Sequence, residues 1–230
     1  MISLRKSAWM IRHPRRAWNE IKTVRELAAS TPDFSEKPWL DDEDIIVIKN
    51  CLDKEKAMVE YGSGSSTFHF APHAHSIHSV DTSDSYVRAV RAEGARRGIQ
   101  NINLTAINVG PVRAWGWPID DFPTPRNMAN WRRYLEAPWA TLKDTPLSLV
   151  LVDGRFRVSC AAYAIGKTLE RGEKVPIILD DFVGRESHYG KLGDIAKLTR
   201  TAGRAVIVEP LITSSEEAIA FAERNLTDLR

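Results

Sequence analysis

The chain has 230 residues, enough for one domain with a small appendage and ample to bury a core. Its 43% hydrophobic and 27% charged residues are ordinary for a globular protein, and a net charge of +2 makes no electrostatic case for nucleic acid. Cys51 and Cys160 lack CxxC or metal-ligand spacing and read as free thiols of a cytoplasmic protein. No apolar run approaches the roughly 20 residues that cross a bilayer, and no secretory apolar core follows the basic N-terminus.

The first segment differs from the rest. Arg5, Lys6, Arg12, Arg15, Arg16, Lys22 and Arg25 are basic, against Glu20 and Glu26. Pro14 suits a first helical turn, after which Ala17, Ile21, Val24 and Ala28 share one face, with Trp18 beside them. The expectation is a basic amphipathic helix that packs on the domain and solvates its basic side. Contact with a membrane surface, nucleic acid or an acidic partner is the alternative. Residues 30–40, with Pro32 and Pro38, read as a linker. Residues 1–40 are thus a helical extension and linker, and residues 41–230 an α/β domain.

Asp41-Asp42-Glu43-Asp44 starts a helix to about Leu52, its acids complementing the helix dipole. Strands and helices then alternate. Strands are expected at 57–61, 77–81, 102–108, 148–152, 175–179 and 204–208. Helices are expected from Ser83 or Asp84 to about Arg97, then over 127–136, 157–170, 189–198 and 215–228. An aromatic, proline-rich insertion runs from Gly110 to Pro125. Near-continuous apolar strands predict a doubly wound, mostly parallel Rossmann-like sheet with helices on both faces.

The turn after the first strand carries the chemistry. Glu60-Tyr61-Gly62-Ser63-Gly64-Ser65-Ser66-Thr67 leads from an apolar strand into a helix start, and Asp81 ends the second strand. The glycines let the backbone approach a ligand, and the helix N-terminus offers free N–H groups. A dinucleotide site would want a third glycine where Thr67 stands. Glu60-x-Gly62-x-Gly64 instead closely resembles the first motif of class I S-adenosylmethionine-dependent methyltransferases. Leu151-Val152-Asp153-Gly154 is similar to the I-D-G segment of a bacterial-type branch of that superfamily with many uncharacterised members. The resemblance spans about residues 41–210. It implies that the 60–66 turn binds the donor, that Asp81 binds ribose hydroxyls, and that Asn108 lies by the adenine. It also implies that Asp153 lies near the transferred methyl group.

Asp153, Asp180 and Asp181 end the fourth and fifth strands, which are neighbours in the usual order and about one strand spacing, roughly 5 Å, apart. Clustered carboxylates repel unless protonated or bound to a cation, and hard oxygens suit Mg²⁺ or Ca²⁺. The pattern resembles cation-dependent O-methyltransferases. It departs from them in having Asp181 in place of an Asn and Phe156 in place of a lysine base. Arg155, Arg157 and Arg185 are available to neutralise the acids instead. Arg155 or Arg157 could also grip an anionic part of the acceptor. His188 and Tyr189 are candidate general bases on an acceptor hydroxyl. His69, His73, His75 and His78 complete no zinc spacing and read as loop or surface residues. Trp115, Trp117, Trp131 and Trp139 suit an acceptor pocket or lid, a satellite core, or a homodimer contact.

These readings converge on methyl transfer from S-adenosylmethionine to a small-molecule acceptor, with cation-assisted O-methylation as one form of it. The alternatives are a methyltransferase-like binding protein without turnover, an NAD-dependent oxidoreductase and an RNA methyltransferase.

Overall fold

A computed structural model describes residues 2–29 and 32–230, with the side chains of residues 27–29 outside the description. Ala28 of the expected helical face and residues 30 and 31 of the expected linker therefore lie outside it. The chain forms helices α1 (Leu4–Arg12), α2 (Pro14–Ala29) and α3 (Asp42–Cys51), then strand β1 (Ala57–Tyr61), α4 (Ser65–Phe70) and β2 (Ser76–Asp81). There follow α5 (Asp84–Arg96), β3 (Ile102–Ala106), a small hairpin of Val112–Arg113 with Trp117–Pro118, and α6 (Pro125–Leu142). The rest comprises β4 (Leu147–Val152), α7 (Arg157–Glu170), β5 (Ile177–Leu179), α8 (Glu186–Tyr189), β6 (Ala196–Arg200), β7 (Val206–Pro210) and α9 (Ser215–Arg224). None of the described helices is long and apolar enough to cross a membrane.

The seven strands form one sheet in the order β3-β2-β1-β4-β5-β7-β6. The five from β3 to β5 run parallel, while β7 is antiparallel to both its neighbours. Every residue of β1 and β4 is buried, as expected for central parallel strands covered on both faces. Their side chains alternate between two cores. Val59, Tyr61, Val150, Val152, Ile177 and Leu179 meet the face bearing Trp131 of α6, Ala161 of α7 and Phe221 of α9. Met58, Leu149, Leu151 and Ile178 meet Ile45 and Ile48 of α3 and Phe70 of α4. The chain steps outward from β1 to β3 and returns to lay β4 beside β1. That reversal makes the carboxyl ends of β1 and β4, where Tyr61 pairs with Val152, the topological switch point of the sheet.

Several boundaries differ from the sequence expectation. The 189–198 segment is not a helix: α8 ends at Tyr189, a 3₁₀ turn covers Gly190–Asp194, and β6 follows. β6 is an edge strand that hides Ala196 and leaves most of the rest partly or fully exposed, too short a pattern to assert its period. The expected sixth strand, 204–208, is therefore the seventh, at Val206–Pro210. α6 continues past the expected 136 and through Pro138, because Leu135, Trp139 and Leu142 extend its buried face. Tertiary burial outweighs the one hydrogen bond a helical proline forfeits.

The N-terminal extension holds two helices where one was expected. Ser3 caps α1 by accepting the Lys6 N–H and ties it to the insertion, donating from its N–H and hydroxyl to the buried Asp120 at 2.5 and 2.9 Å. Lys6, only 3% exposed, pairs with Glu20 at 3.2 Å and reaches Asp121 at 3.9 Å. Ala17 is buried as expected, yet Trp18 is 62% exposed and Ile21 36%. The apolar side of the extension is not wholly turned into the protein.

Candidate active site

The carboxyl ends of β1, β2, β4 and β5 are knit together through the main chain. The Gly62 N–H donates to Val80 O at 2.9 Å, the Asp153 N–H to Tyr61 O at 2.9 Å, and the Asp180 N–H to Val152 O at 3.1 Å. At the centre the β1 and β4 loops touch backbone to backbone. Gly62 has φ +96°, and a Cβ there would lie 2.8 Å from Gly154 Cα. A Cβ on Gly154 would in turn meet Gly62 N at 2.9 Å and the Tyr134 hydroxyl more closely still. No larger residue fits at either position.

Glu60 is fully buried and locks the turn onto α4. Its two oxygens accept the Ser66 hydroxyl at 2.7 Å and the Thr67 hydroxyl at 2.6 Å. The Thr67 oxygen also accepts the Gly64 N–H at 2.9 Å. Thr67, standing where a dinucleotide site wants glycine, is thus the clasp of this loop. Burial raises the Glu60 pKa to about 6, against those hydroxyl bonds. Ser65 is half-buried, with its hydroxyl 3.4 Å from that of Ser35. The Ser63 Oγ is buried with no hydrogen-bond partner among the described residues. Tyr61 contributes only its main chain here. Its ring points into the core, where its hydroxyl donates to Leu135 O and accepts from Trp139 Nε1, both at 2.7 Å.

Asp81 ends β2 with one oxygen accepting the Thr82 and Ser83 N–H groups at 2.7 and 3.2 Å. No cationic side chain pairs with it among the described residues, and burial raises its pKa to about 6. The Tyr86 hydroxyl leans over the turn, 3.0 Å from where a Cβ on Gly64 would sit. Asn108 lies two residues past β3 on an exposed turn, its side-chain oxygen accepting the Gly110 N–H at 2.9 Å. The hairpin reaches back to this edge, where the Thr82 hydroxyl donates to Gly116 O at 2.9 Å.

The second group is acidic. Asp153, Asp180 and Asp181 bring carboxylate oxygens within 4.8 Å of one another. Three arginines surround them. Arg157 pairs with Asp153 at 2.8 Å and Asp181 at 3.3 Å. Arg185 pairs with Asp181 at 3.2 Å, and Arg204 with Asp180 at 3.2 Å and Asp181 at 3.1 Å. Burial pushes the pKa of Asp153 and of Asp180 up, and each is raised further by its acidic neighbours. The donor set has the hardness a divalent cation wants, but the guanidinium charge already matches the acids. Asp181 itself has φ +59° and Phe156, beside Arg157, has φ +57°. Left-handed backbone at non-glycine residues on both sides of the cluster is strain of the kind functional sites hold.

Other candidates are spread more widely. Tyr189 is buried, with Arg185 Nη1 3.5 Å from its hydroxyl, and His188 is partly exposed with no side-chain bond to the acids. His78 is no surface residue. It is buried in β2, bonded to Thr141 at 2.8 Å and Ser76 at 3.0 Å, and burial lowers its pKa to about 4. Trp131 and Trp139 are core residues, Trp117 is half-buried, and Trp115 is exposed and meets Trp39 edge-on at 5.6 Å. Sequence reasoning missed Arg204, Tyr86 and Tyr134, which reach the site only through tertiary packing. Two open cavities of about 590 and 400 Å³ lie at the opposite, amino-terminal edge of the sheet, and no candidate residue lines either.

The sequence matches no protein-family profile and no curated protein. Its structure is similar to that of a methyltransferase-like protein from Silicibacter pomeroyi, at TM-score 0.59 and 23% identity over 84% of this chain and 97% of that one. Looser likenesses include a Streptococcus mutans protein solved in complex with SAH, at TM-score 0.46 and 13% identity over 75% of this chain and all (100%) of that one. Another is the precorrin-6Y C5,15-methyltransferase of Geobacter metallireducens, at TM-score 0.41 and 14% identity over 76% of this chain and 91% of that one. The chain thus shares its mostly parallel, Rossmann-like α/β fold with that methyltransferase-like protein.

Proposed function

We propose that the chain is an S-adenosylmethionine-dependent methyltransferase acting on a small-molecule acceptor. One observation carries the reading: a glycine turn pressed against the β4 loop, with the buried Ser63 hydroxyl, partnerless among the described residues, in it and the Asp81 carboxylate, held by main-chain N–H groups and no cation, beside it. An orphaned buried hydroxyl and a carboxylate with acceptor capacity to spare at a strand end suit a ribose diol and its neighbours. When bound, S-adenosylmethionine supplies a methyl group on a sulfonium centre. Asp81 would accept from the ribose hydroxyls, Gly62, Ser63, Gly64, Ser65 and Ser66 would line the donor, and Asn108 would offer its amide to the adenine. Glu60 would hold the turn rigid from behind. Asp153, its pKa raised by burial, would accept the proton of an acceptor hydroxyl more readily than an ordinary carboxylate. Tyr189 or His188 would be the alternative base. Calorimetric titration tests the reading. S-adenosylmethionine should bind and NAD should not, and Asp81→Ala should weaken the donor about tenfold or more. A wild type that ignores S-adenosylmethionine refutes it. Donor binding without turnover across acceptor panels would favour a binding protein.

A cation-assisted reaction is the finer variant, supported by the close oxygens of Asp153, Asp180 and Asp181. Mg²⁺ or Ca²⁺ would have to displace Arg204 or Arg157 from them. Saturable binding of either ion to the wild type and its loss in Asp180→Asn would establish the variant, and absence of binding would remove it.

For the extension, an anionic lipid surface is the partner that the observations favour. Leu4 is 90% exposed, Ile11 81% and Trp18 62%, seven residues apart on α1 and α2. Seven basic residues against two acids lie in the same stretch, 4–26.

A further inference from the structure

Arg155 follows Asp153-Gly154 at the carboxyl end of β4 and is only 9% exposed. Its main chain is anchored: the N–H meets the Tyr134 hydroxyl at 3.4 Å, and the carbonyl accepts the Cys160 thiol at 3.3 Å. Its guanidinium is not. Among the described residues it forms no ion pair, and its Nε is buried without a hydrogen-bond partner. It lies 5.1 Å from the centroid of the Trp117 ring, which has a second guanidinium, that of Arg113, at 5.5 Å. The neighbouring arginines are all engaged. Arg157 donates to Asp153, to Asp180 O at 2.6 Å and to Gly154 O at 3.1 Å, while Arg185 and Arg204 hold Asp181 and Asp180. Three acids face three arginines, and Arg155 is the positive charge left over. A buried cation beside an indole, with no ion-pair partner among the described residues, is suited to receive an anion.

We propose that Arg155, backed by Trp117, binds a carboxylate or phosphate group carried by the methyl acceptor, which makes the acceptor an anionic small molecule. The word acceptor rests on the methyltransferase reading, but the anion site does not. The planar fork of a guanidinium matches both groups in two places, and the Trp117 ring beside it supports the cation. The methionine carboxylate of the donor is the rival ligand, and the experiment separates it.

The full chain is titrated by calorimetry without donor, using benzoate and phenyl phosphate as probes and benzyl alcohol as the neutral control. At least one anion should bind saturably and benzyl alcohol should not, the preferred probe telling carboxylate from phosphate. Arg155→Met, which keeps the apolar stem, should weaken that anion about tenfold or more. Arg155→Lys, which keeps the charge and loses the fork, should weaken it about threefold and supplies the comparison if Arg155→Met does not fold. S-adenosylmethionine affinity should stay within about twofold in both variants, circular dichroism reporting the fold. Equal anion affinity in wild type and variants overturns the proposal, as does a wild type that binds neither anion. A donor affinity that falls with Arg155 overturns it too, assigning the guanidinium to the donor. An anion site that survives while S-adenosylmethionine fails to bind the wild type removes the methyltransferase reading alone.

Discussion

Glu60 is a carboxylate whose work is mechanical, and its buried position gives it a pH signature. Its folded-state pKa of about 6 lies above the ordinary 4.5 because burial outweighs the Ser66 and Thr67 bonds. The native chain therefore holds a proton there that the unfolded chain has already released. Between pH 4.5 and 6 the native state binds more protons, so unfolding free energy falls as pH rises through that window and levels off above it. That difference corresponds to about 2 kcal/mol. Urea denaturation of Glu60→Gln across this window should lose that part of the slope, while Asp81, raised in the same direction, keeps its own. A variant with an unchanged slope would mean that Glu60 titrates normally. The places of Glu60, Gly62, Gly64, Asp81 and Asp153 at strand ends and turns were legible in the sequence because strand ends and glycines announce themselves locally. The clasp role of Thr67 was not, since its partner Glu60 is reached only once α4 has folded back.

Between elements, Asp44 shows how a helix outside the acidic cluster bears on it through Arg204. It sits in the first turn of α3, fully buried, and accepts the Thr201 hydroxyl at 2.5 Å, the Arg204 N–H at 2.9 Å and the Ala205 N–H at 3.2 Å. Those three residues form the turn joining β6 to β7, and Gly203 in it leaves the room that Asp44 fills. The same turn aims Arg204 at Asp180 and Asp181. Removing the carboxylate strands two main-chain donors, while the Thr201 hydroxyl keeps Ala205 O at 2.9 Å. Asp44→Ala should cost about 3 kcal/mol, read as a lowered denaturation midpoint at unchanged m-value. A loss under about 1 kcal/mol would mean that water replaces the carboxylate there. The sequence marks Asp44 only as an acid suited to a helix start. Its role depends on the β6–β7 hairpin, and β6 itself escaped detection because an edge strand of five residues hides too little to assert a period.

At the scale of the whole molecule, the alternation of apolar strands with helices was enough to read the parallel sheet, since central strands buried on both faces need continuous apolar sequence. The orientation of the extension was not readable that way. Periodicity reports that a helix has two faces but not which one the protein covers, and here Lys6 and Ala17 go inward while Leu4, Ile11 and Trp18 go outward. The inward side is fixed by Ser3 on Asp120 and by Lys6 between Glu20 and Asp121, and α2 packs along the hairpin. The outward side combines three large apolar groups with a surplus of arginine, which is the composition of a segment lying in a lipid interface. Each basic residue near an anionic surface contributes about 1 kcal/mol, and the attraction fades with salt. The full chain should therefore sediment with vesicles containing phosphatidylserine, much less with pure phosphatidylcholine, and less again in high salt. Ile11→Asp alters a side chain 81% exposed, so the fold and donor affinity should be unchanged while vesicle binding drops severalfold. Equal sedimentation of wild type and Ile11→Asp would assign the outward face to something other than lipid, and salt-insensitive binding would remove the arginines from the account.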